Sequence, residues 1–219
     1  MKAVLNAVAL AAVIFVATPA HAEDRVQPVQ SSRMAPGAGL RDDTINRHVG
    51  FFIRPELGGG YLSSTVGDTT ISGGAGMLGV VIGGAISENL VLAGHYYGVG
   101  ISNPQLSQPG QSSTTLDNSS LTMWGIGPNL TYYFMPVNMY ASATVALTRL
   151  NGTTGNLTVD SDYGIGTRLS LGKEWWASEH WGLGLAGHFS YSANNQSGTT
   201  NPQTISTWGL GLSFSATYN

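Results

Sequence analysis

An alternating pattern at the end of the chain is the feature that most constrains its fold. Over residues 204–218, small or polar residues alternate with large apolar ones. Because successive side chains of a β-strand point to opposite faces, this pattern predicts a strand with one apolar and one polar face. The apolar face consists of Trp208, Leu210, Leu212, Phe214, Ala216 and Tyr218.

The same alternation recurs upstream and predicts eight strands. In the last five, a single parity is apolar, whereas strands two and three carry apolar residues on both parities, so their register stays open. The predicted strands cover residues 50–63, 70–86, 90–102, 119–134, 138–150, 161–175, 180–193 and 204–218.

The start of the chain has the form of an export signal. Lys2 is followed by an apolar stretch over residues 3–16 that only Asn6 interrupts, and Ala20-His21-Ala22 offers small residues at the two positions a signal peptidase reads. We expect residues 1–22 to be a signal peptide cleaved after Ala22. The alternative, a retained membrane anchor, is disfavoured because about 14 apolar residues are fewer than the roughly 20 that a spanning helix needs.

Residues 23–48 have a different composition from the rest. They contain four arginines, four acidic residues and two prolines, with almost no periodic hydrophobicity. This composition predicts a flexible periplasmic arm, for which a partner-binding role stays open. The remaining domain would cover residues 49–219.

Composition narrows the class of that domain. Cysteine is absent, so no disulfide framework is available, and only 10% of residues are charged, which is low for a water-soluble β-sandwich. A formal net charge of −3 gives no basic surface for nucleic acid. The low charge favours a barrel in lipid, with its apolar parity facing outward. The alternative is a soluble barrel of lipocalin type, with the apolar parity inside.

Short and long connections alternate between the predicted strands. Transmembrane barrels have short periplasmic turns and longer external loops, so this rhythm predicts an all-β, closed antiparallel eight-stranded transmembrane β-barrel. The short connections are 87–89, 135–137 and 177–179, and the long ones are 64–69, 103–118, 151–160 and 194–203.

Aromatic residues concentrate beside the short connections and the C-terminus. In the predicted topology these positions share one level of the membrane, which indicates a periplasmic-side girdle. The predicted girdle consists of Phe51, Tyr132, Phe134, Trp175, Trp181 and Tyr218.

Several charged residues fall on the predicted inner parity. A buried charge must be paired, so these groups are expected to form a salt-bridged plug inside the barrel. The alternative is a gate in which broken Arg–Glu pairs open a narrow conduit. The predicted plug consists of Arg54, Glu56, Asp162, Arg168, Glu174 and His188, with His95 as a further candidate.

With these features the chain resembles the small eight-stranded outer-membrane barrels, the class that includes the OmpA transmembrane domain and OmpX. The resemblance implies the outer membrane of a Gram-negative bacterium and contact with its lipid and lipopolysaccharide. It also implies that the last strand is an assembly signal read by the outer-membrane insertion machinery. That signal would be Trp208, Leu210, Leu212, Phe214 and Tyr218, here followed by Asn219.

One short motif resembles a catalytic pair. His188 and Ser190 match the His-x-Ser of the outer-membrane lipid A deacylases, but residues 191–219 contain no acidic residue to orient the imidazole. We therefore predict no catalytic residue. The G-x-G-x-x-G at residues 182–187 lies inside a strand, so no dinucleotide is expected, and the scattered histidines predict no metal and no cofactor.

The predicted role is structural: a monomeric barrel that anchors or maintains the envelope. Members of the class also act as narrow pores, lipid-modifying enzymes or adhesins. A gated pore, a lipid A esterase at His188 and Ser190, and an adhesin using residues 103–120 and 194–203 are the alternatives. These loops are polar but lack an aromatic or arginine anchor for a partner.

Overall fold

The computed structural model describes residue 48 and residues 50–198 and 200–218, and this part of the chain is all-β. The predicted signal peptide and residues 23–47 of the predicted arm lie outside the described residues. No helix in the described part is long and apolar enough to cross a membrane. The strands are β1 (Phe51–Val66), β2 (Thr69–Ser87), β3 (Leu90–Ser102), β4 (Gln105–Ser107), β5 (Thr114–Thr115), β6 (Ser119–Phe134), β7 (Met139–Thr154), β8 (Leu157–Asp160), β9 (Gly164–Trp176), β10 (Trp181–Asn195) and β11 (Thr204–Tyr218).

Eight long strands close into a barrel, which confirms the predicted fold class. Their spatial order is β1, β11, β10, β9, β7, β6, β3, β2, and β1 also pairs with β2, so the first and last strands complete the ring. All pairings are antiparallel. Closure leaves no open sheet edge in the ring, which is the condition for placing a sheet in hydrocarbon.

The long-loop end differs from the prediction because strands extend into three of the predicted loops. Residues 64–69 are not a loop: β1 and β2 pair down to Val66 and Thr69 and turn at Gly67, whose φ is 53°. Residues 151–160 form the β7–β8 hairpin, and residues 103–118 contain β4 and β5. Outside a membrane neither strand face has to be apolar, so these extensions lack the alternation that marks the rest.

The two ambiguous strands have odd-numbered residues inside. Met77 and Val81 of β2, and Tyr97 and Val99 of β3, are buried in the interior, while Leu78 faces out. The interior is apolar at these positions. Both faces therefore carry apolar side chains, which explains why alternation alone could not set the register.

Two prolines interrupt the ladders at opposite sides of the ring. The β1–β11 pairing skips Pro55, and the β6–β7 pairing skips Pro128. A proline has no N–H to donate to a ladder. The two interruptions divide the eight strands into two groups of four.

Candidate functional site

The outer surface of the barrel carries the predicted aromatic girdle at its short-turn end. Phe51, Trp175 and Trp181 are about half exposed, as are Tyr132 and Phe134. The ring of Tyr218 lies 6.5 Å from that of Phe51 and 5.3 Å from that of Trp181, measured between centroids. The girdle therefore continues across the seam where β11 meets β1.

A second aromatic level lies ten residues further along several strands. Tyr61, Trp124, Tyr191 and Trp208 stand ten residues from Phe51, Phe134, Trp181 and Tyr218 on β1, β6, β10 and β11 respectively. The rings of Tyr61 and Trp208 are 5.7 Å apart. Sequence reasoning missed this level because its residues lie within strands, away from any turn.

The surface between the two levels is apolar and exposed. Large side chains such as Leu171, Leu212 and Phe214 are 68–71% exposed there. Ten residues at about 3.3 Å each, in strands tilted by roughly 40°, span about 25 Å, the height of the apolar band of a transmembrane barrel. The barrel thus spans a membrane, and barrels of this kind occupy the outer membrane of Gram-negative bacteria.

The interior is closed at the short-turn end by aromatic rings, which we call the short-turn layer. Phe52, Tyr133 and Tyr140 are buried there, at 0–1% exposure. The His48 ring stacks on Tyr133 at 3.4 Å with an interplanar angle of 17° and lies 5.2 Å from the Trp176 ring.

His48 is a residue of the interior that the sequence did not predict. It is the last residue of the segment predicted to be a flexible arm, yet it is fully buried, and its Nε2 lies 2.8 Å from Asn138 Oδ1. A single histidine gives no periodic signal, so its insertion could not be predicted from the sequence.

Most of the predicted plug residues lie together in the next level, the charged layer. Arg54, Glu56 and Arg168 are at most 5% exposed. Arg54 Nε donates to Glu56 Oε1 at 3.1 Å, and Arg168 Nη2 lies 3.8 Å from Glu56 Oε2. His95 Nε2 is 3.9 Å from the same oxygen. The Glu56 carboxylate thus lies between two guanidinium groups and the His95 imidazole.

Glu174 joins the charged layer to the short-turn layer. Its Oε1 accepts hydrogen bonds from the Thr217 hydroxyl at 2.6 Å and from the Tyr133 hydroxyl at 3.2 Å. The guanidinium of Arg54 lies 4.3 Å from the Tyr140 ring centroid. With two arginines and two glutamates, the described charges of this layer balance.

Asp162 is not in this layer, contrary to the prediction. It is exposed and lies two residues before β9, which begins at Gly164 rather than at residue 161. Its backbone N–H donates to the Asn195 carbonyl at 2.9 Å. The strand starts later than its alternation indicates. Asp162 therefore lies outside β9, and the inward parity of the strand does not apply to it.

A hydroxyl and amide network lines another part of the wall at this depth. Asn129 Nδ2 donates to Ser142 Oγ at 2.7 Å and to Thr144 Oγ1 at 2.8 Å. Thr144 Oγ1 also lies 2.8 Å from His95 Nδ1. These contacts fix the His95 ring beside Glu56.

Toward the long loops, the interior is filled by a third level, the loop-side layer. This apolar packing contrasts with the polar inner face predicted for the last strand. Arg168 contacts it through Met77 Sδ at 3.8 Å and through the Tyr97 ring, 5.0 Å from its Cζ. The layer consists of Leu62, Ala75, Met77, Tyr97, Val99, Ile101, Leu121, Met123, Ala146 and Leu150.

The candidate catalytic pair is not assembled. His188 Nδ1 lies 2.8 Å from Ser170 Oγ, and His188 Nε2 lies 2.6 Å from Ser213 Oγ, so both ring nitrogens contact hydroxyls other than that of Ser190. Ser190 is 3% exposed and points into the interior. Within the described residues, no group of three His, Asp or Glu side chains could hold a metal ion.

Comparisons with solved structures find other small outer-membrane barrels. Neisserial surface protein A is 15% identical, with a TM-score of 0.49, and the match covers 77% of this chain and 96% of that one. The outer membrane protein AlkL is 15% identical, with a TM-score of 0.47 and coverage of 87% and 96%. OprG from Pseudomonas aeruginosa is 13% identical, with a TM-score of 0.43 and coverage of 78% and 97%. No family model matches the sequence, and no curated protein matches it.

Proposed function

We propose that this chain is a structural outer-membrane protein with a lumen closed to solutes, and that it supports the integrity of the cell envelope. The observation that carries this proposal is the filling of the interior at three successive levels. Aromatic rings, paired charges and aliphatic side chains follow one another along the barrel axis. An eight-stranded barrel is just wide enough for side chains to fill it, so this packing leaves no continuous water path.

The charged layer is proposed to act as a permanent plug rather than as a gate. Its arginines and glutamates balance, and Glu56 contacts both Arg54 and Arg168. Separating these pairs inside the barrel would leave buried charges uncompensated, which costs several kcal/mol. A narrow gated pore would have to open this layer and both neighbouring layers together.

The outward face of the last strand carries the residues of the predicted assembly signal. We propose that Trp208, Leu210, Leu212, Phe214 and Tyr218 are read by the outer-membrane insertion machinery and that the folded protein is a monomer. Four of these side chains are 38–71% exposed on the outer surface, and Tyr218 is half-buried, so the row is displayed on one face. Lipid and lipopolysaccharide would then surround the barrel.

Deletion of the gene in its native bacterium tests the envelope role. We expect the deletion strain to admit more of a hydrophobic fluorescent dye, because a missing structural barrel weakens the outer membrane. Expression of the intact chain and of Ser190→Ala should both restore the barrier. Unchanged dye entry in the deletion strain would contradict the structural role. Fatty acid released from lipopolysaccharide by the purified chain, but not by Ser190→Ala, would instead support an esterase.

A further inference from the structure

Glu56 faces two of its neighbours in the charged layer at distances too long for direct hydrogen bonds. Its Oε2 lies 3.8 Å from Arg168 Nη2 and 3.9 Å from His95 Nε2. A direct hydrogen bond between nitrogen and oxygen measures about 2.7–3.2 Å. All three side chains are buried, at 1–2% exposure. The second oxygen of this carboxylate therefore lies near donors that it does not reach.

Several polar atoms around this oxygen have no hydrogen-bond partner among the described residues. They are Glu56 Oε2 itself, His95 Nε2, and Arg168 Nε and Nη1. Buried polar atoms in proteins almost always have a partner, which is either another protein group or an ordered water. The set contains a carboxylate oxygen, which accepts, and guanidinium nitrogens, which donate. A partner for all of them must therefore both donate and accept.

The hydrogen bonds on the other side of the His95 ring decide where its proton lies. Thr144 Oγ1 accepts a hydrogen bond from Asn129 Nδ2 at 2.8 Å and lies 2.8 Å from His95 Nδ1. Asn129 is the donor in the first contact, so the hydroxyl proton of Thr144 is left for Nδ1. An imidazole that accepts at Nδ1 carries its own proton on Nε2, which is the nitrogen that faces Glu56.

Gly79 of β2 keeps side-chain atoms away from this place. It is the cross-strand partner of Glu56 and is buried. A Cβ at Gly79 would lie 3.3 Å from His95 Nε2 and 3.5 Å from Glu56 Oε2. Any side chain at this position would therefore contact both polar atoms, whereas glycine leaves them accessible to a small molecule.

The chemistry of these groups selects the molecule. A cation would be repelled by the Arg168 guanidinium and an anion by the Glu56 carboxylate, so a neutral molecule is favoured. It has to accept from His95 and Arg168 and donate to Glu56. Two hydrogen bonds of about 2.8 Å that meet at roughly a right angle span the 3.9 Å between Nε2 and Oε2. Water has this size, and a buried water makes about three such bonds.

We propose that a water molecule binds between Glu56, His95 and Arg168, beside Gly79, and joins the three side chains into one hydrogen-bonded unit. This deepens the proposed function, on which it rests, because the short-turn layer and the loop-side layer close the barrel on both sides of the site. The bound water exchanges slowly with bulk water. It is part of the plug and not of a path through the barrel.

Proton NMR of the barrel in lipid nanodiscs tests this site through cross-relaxation between water and His95 Hδ2, the carbon-bound proton adjacent to Nε2. We expect a cross-peak at the water frequency with the sign of a long-lived complex. His188 is the matched control, because its Nε2 contacts the Ser213 hydroxyl at 2.6 Å and its Hδ2 reports exchange through hydroxyl protons.

The outcomes of this measurement separate the water site from the closed lumen. A His95 cross-peak no stronger than that of His188 would overturn the proposal and leave the closure of the lumen unaffected. A His95 cross-peak with the sign of a rapidly exchanging water would overturn the proposal and also contradict the closed lumen.

Two substitutions at Gly79 distinguish a water site from steric crowding. Gly79→Ala places a methyl carbon against Nε2 and Oε2 but offers no hydrogen bond. It should remove the cross-peak and raise the equilibrium constant of unfolding, measured by urea titration, about tenfold. Gly79→Ser adds the same Cβ with a hydroxyl that replaces the water, so it should stay within about threefold of the intact chain.

The control for the glycine itself is Gly76→Ala on the outward face of the same strand, where a Cβ would meet nothing within 4 Å. It should keep both the cross-peak and the stability of the intact chain. If Gly79→Ser is destabilised as much as Gly79→Ala, crowding alone explains the loss and the proposal is wrong.

Discussion

At the scale of single residues, Glu56 decides the charge balance of the interior. It contacts Arg54 at 3.1 Å and Arg168 at 3.8 Å, and its side chain is 1% exposed. We expect Glu56→Gln to lower the free energy of unfolding by about 3–5 kcal/mol, because it leaves two buried arginines facing one remaining glutamate. Urea titration in detergent micelles measures this change.

The control for this prediction is Glu179→Gln, which removes an exposed carboxylate at a short turn and should change stability by less than about 0.5 kcal/mol. A second variant, Glu56→Gln with Arg168→Met, removes one charge of each sign and should recover part of the loss. If Glu56→Gln alone is as stable as the intact chain, Glu56 does not hold the charged layer together.

His48 gives a second prediction at this scale, since it completes the short-turn layer from outside the strands. The chain has no cysteine, so one introduced thiol can report access to the interior. In Ser215→Cys, the thiol would lie beside Glu56 in the β1–β11 register. We expect His48→Ala to accelerate labelling of this thiol by a small water-soluble reagent about tenfold. A tenfold change corresponds to a decrease of about 1.4 kcal/mol in the free energy needed to open the short-turn layer.

The same residues show what parity in the sequence can predict. Alternation indicated an inward position for Arg54, Glu56 and Arg168, and the structure buries all three. It failed for Asp162, because parity says nothing about where a strand begins. It also gave no sign of His48, which enters the barrel through ring stacking rather than through a strand.

At the scale of strands, glycines separate into positions that are required by packing and positions that are free. A Cβ on Gly127 of β6 would collide with the Val145 carbonyl oxygen of β7, whereas a Cβ on Gly76 of β2 would meet nothing within 4 Å. We expect Gly127→Ala to destabilise the barrel by about 2–3 kcal/mol. Gly76→Ala should be neutral or stabilising by about 0.5 kcal/mol, because alanine has less freedom to lose on folding. Urea titration of both variants would refute this distinction if the two losses were equal.

The last strand provides a further prediction about depth in the membrane. Leu212 is 71% exposed in the middle of β11, and Thr204 lies at the loop-side end of the same strand. Arginine at the bilayer midplane costs about 2–4 kcal/mol, but only about 0–1 kcal/mol near an interface. The free energy of folding into lipid vesicles should therefore be less favourable for Leu212→Arg than for Thr204→Arg by that difference. Equal effects would mean that Leu212 does not face hydrocarbon.

Strands two and three show why some elements could not be fully derived from sequence. Alternation fixes a strand's faces only when one face is apolar and the other is not. In β10 the interior side carries Gly182, Gly184 and His188, so the pattern is clear, whereas in β3 the interior side carries Tyr97 and Val99. Because apolar side chains also fill the interior at β3, both faces of that strand are apolar and the alternation is lost.

At the scale of the whole molecule, the lipid-facing surface could be predicted from the sequence, whereas the arrangement of the interior could not. Two aromatic levels ten residues apart fix the barrel in the membrane, and the β-strand topology that produces them was predictable from the connection rhythm. The order of the interior layers was not predictable, because it depends on the register between strands, which alternation left open for strands two and three. Closure of the lumen is therefore the property that distinguishes a structural barrel from a pore.

Single-channel recording in planar lipid bilayers measures whether the lumen is closed. The purified chain is first shown to be folded by heat-modifiable migration on a gel, so that a silent bilayer cannot be ascribed to misfolded protein. With a closed lumen, we expect no stepwise conductance from the folded, intact chain. Sustained openings of the folded chain that are lost or enlarged in Arg168→Ala would contradict it and would make the charged layer a gate.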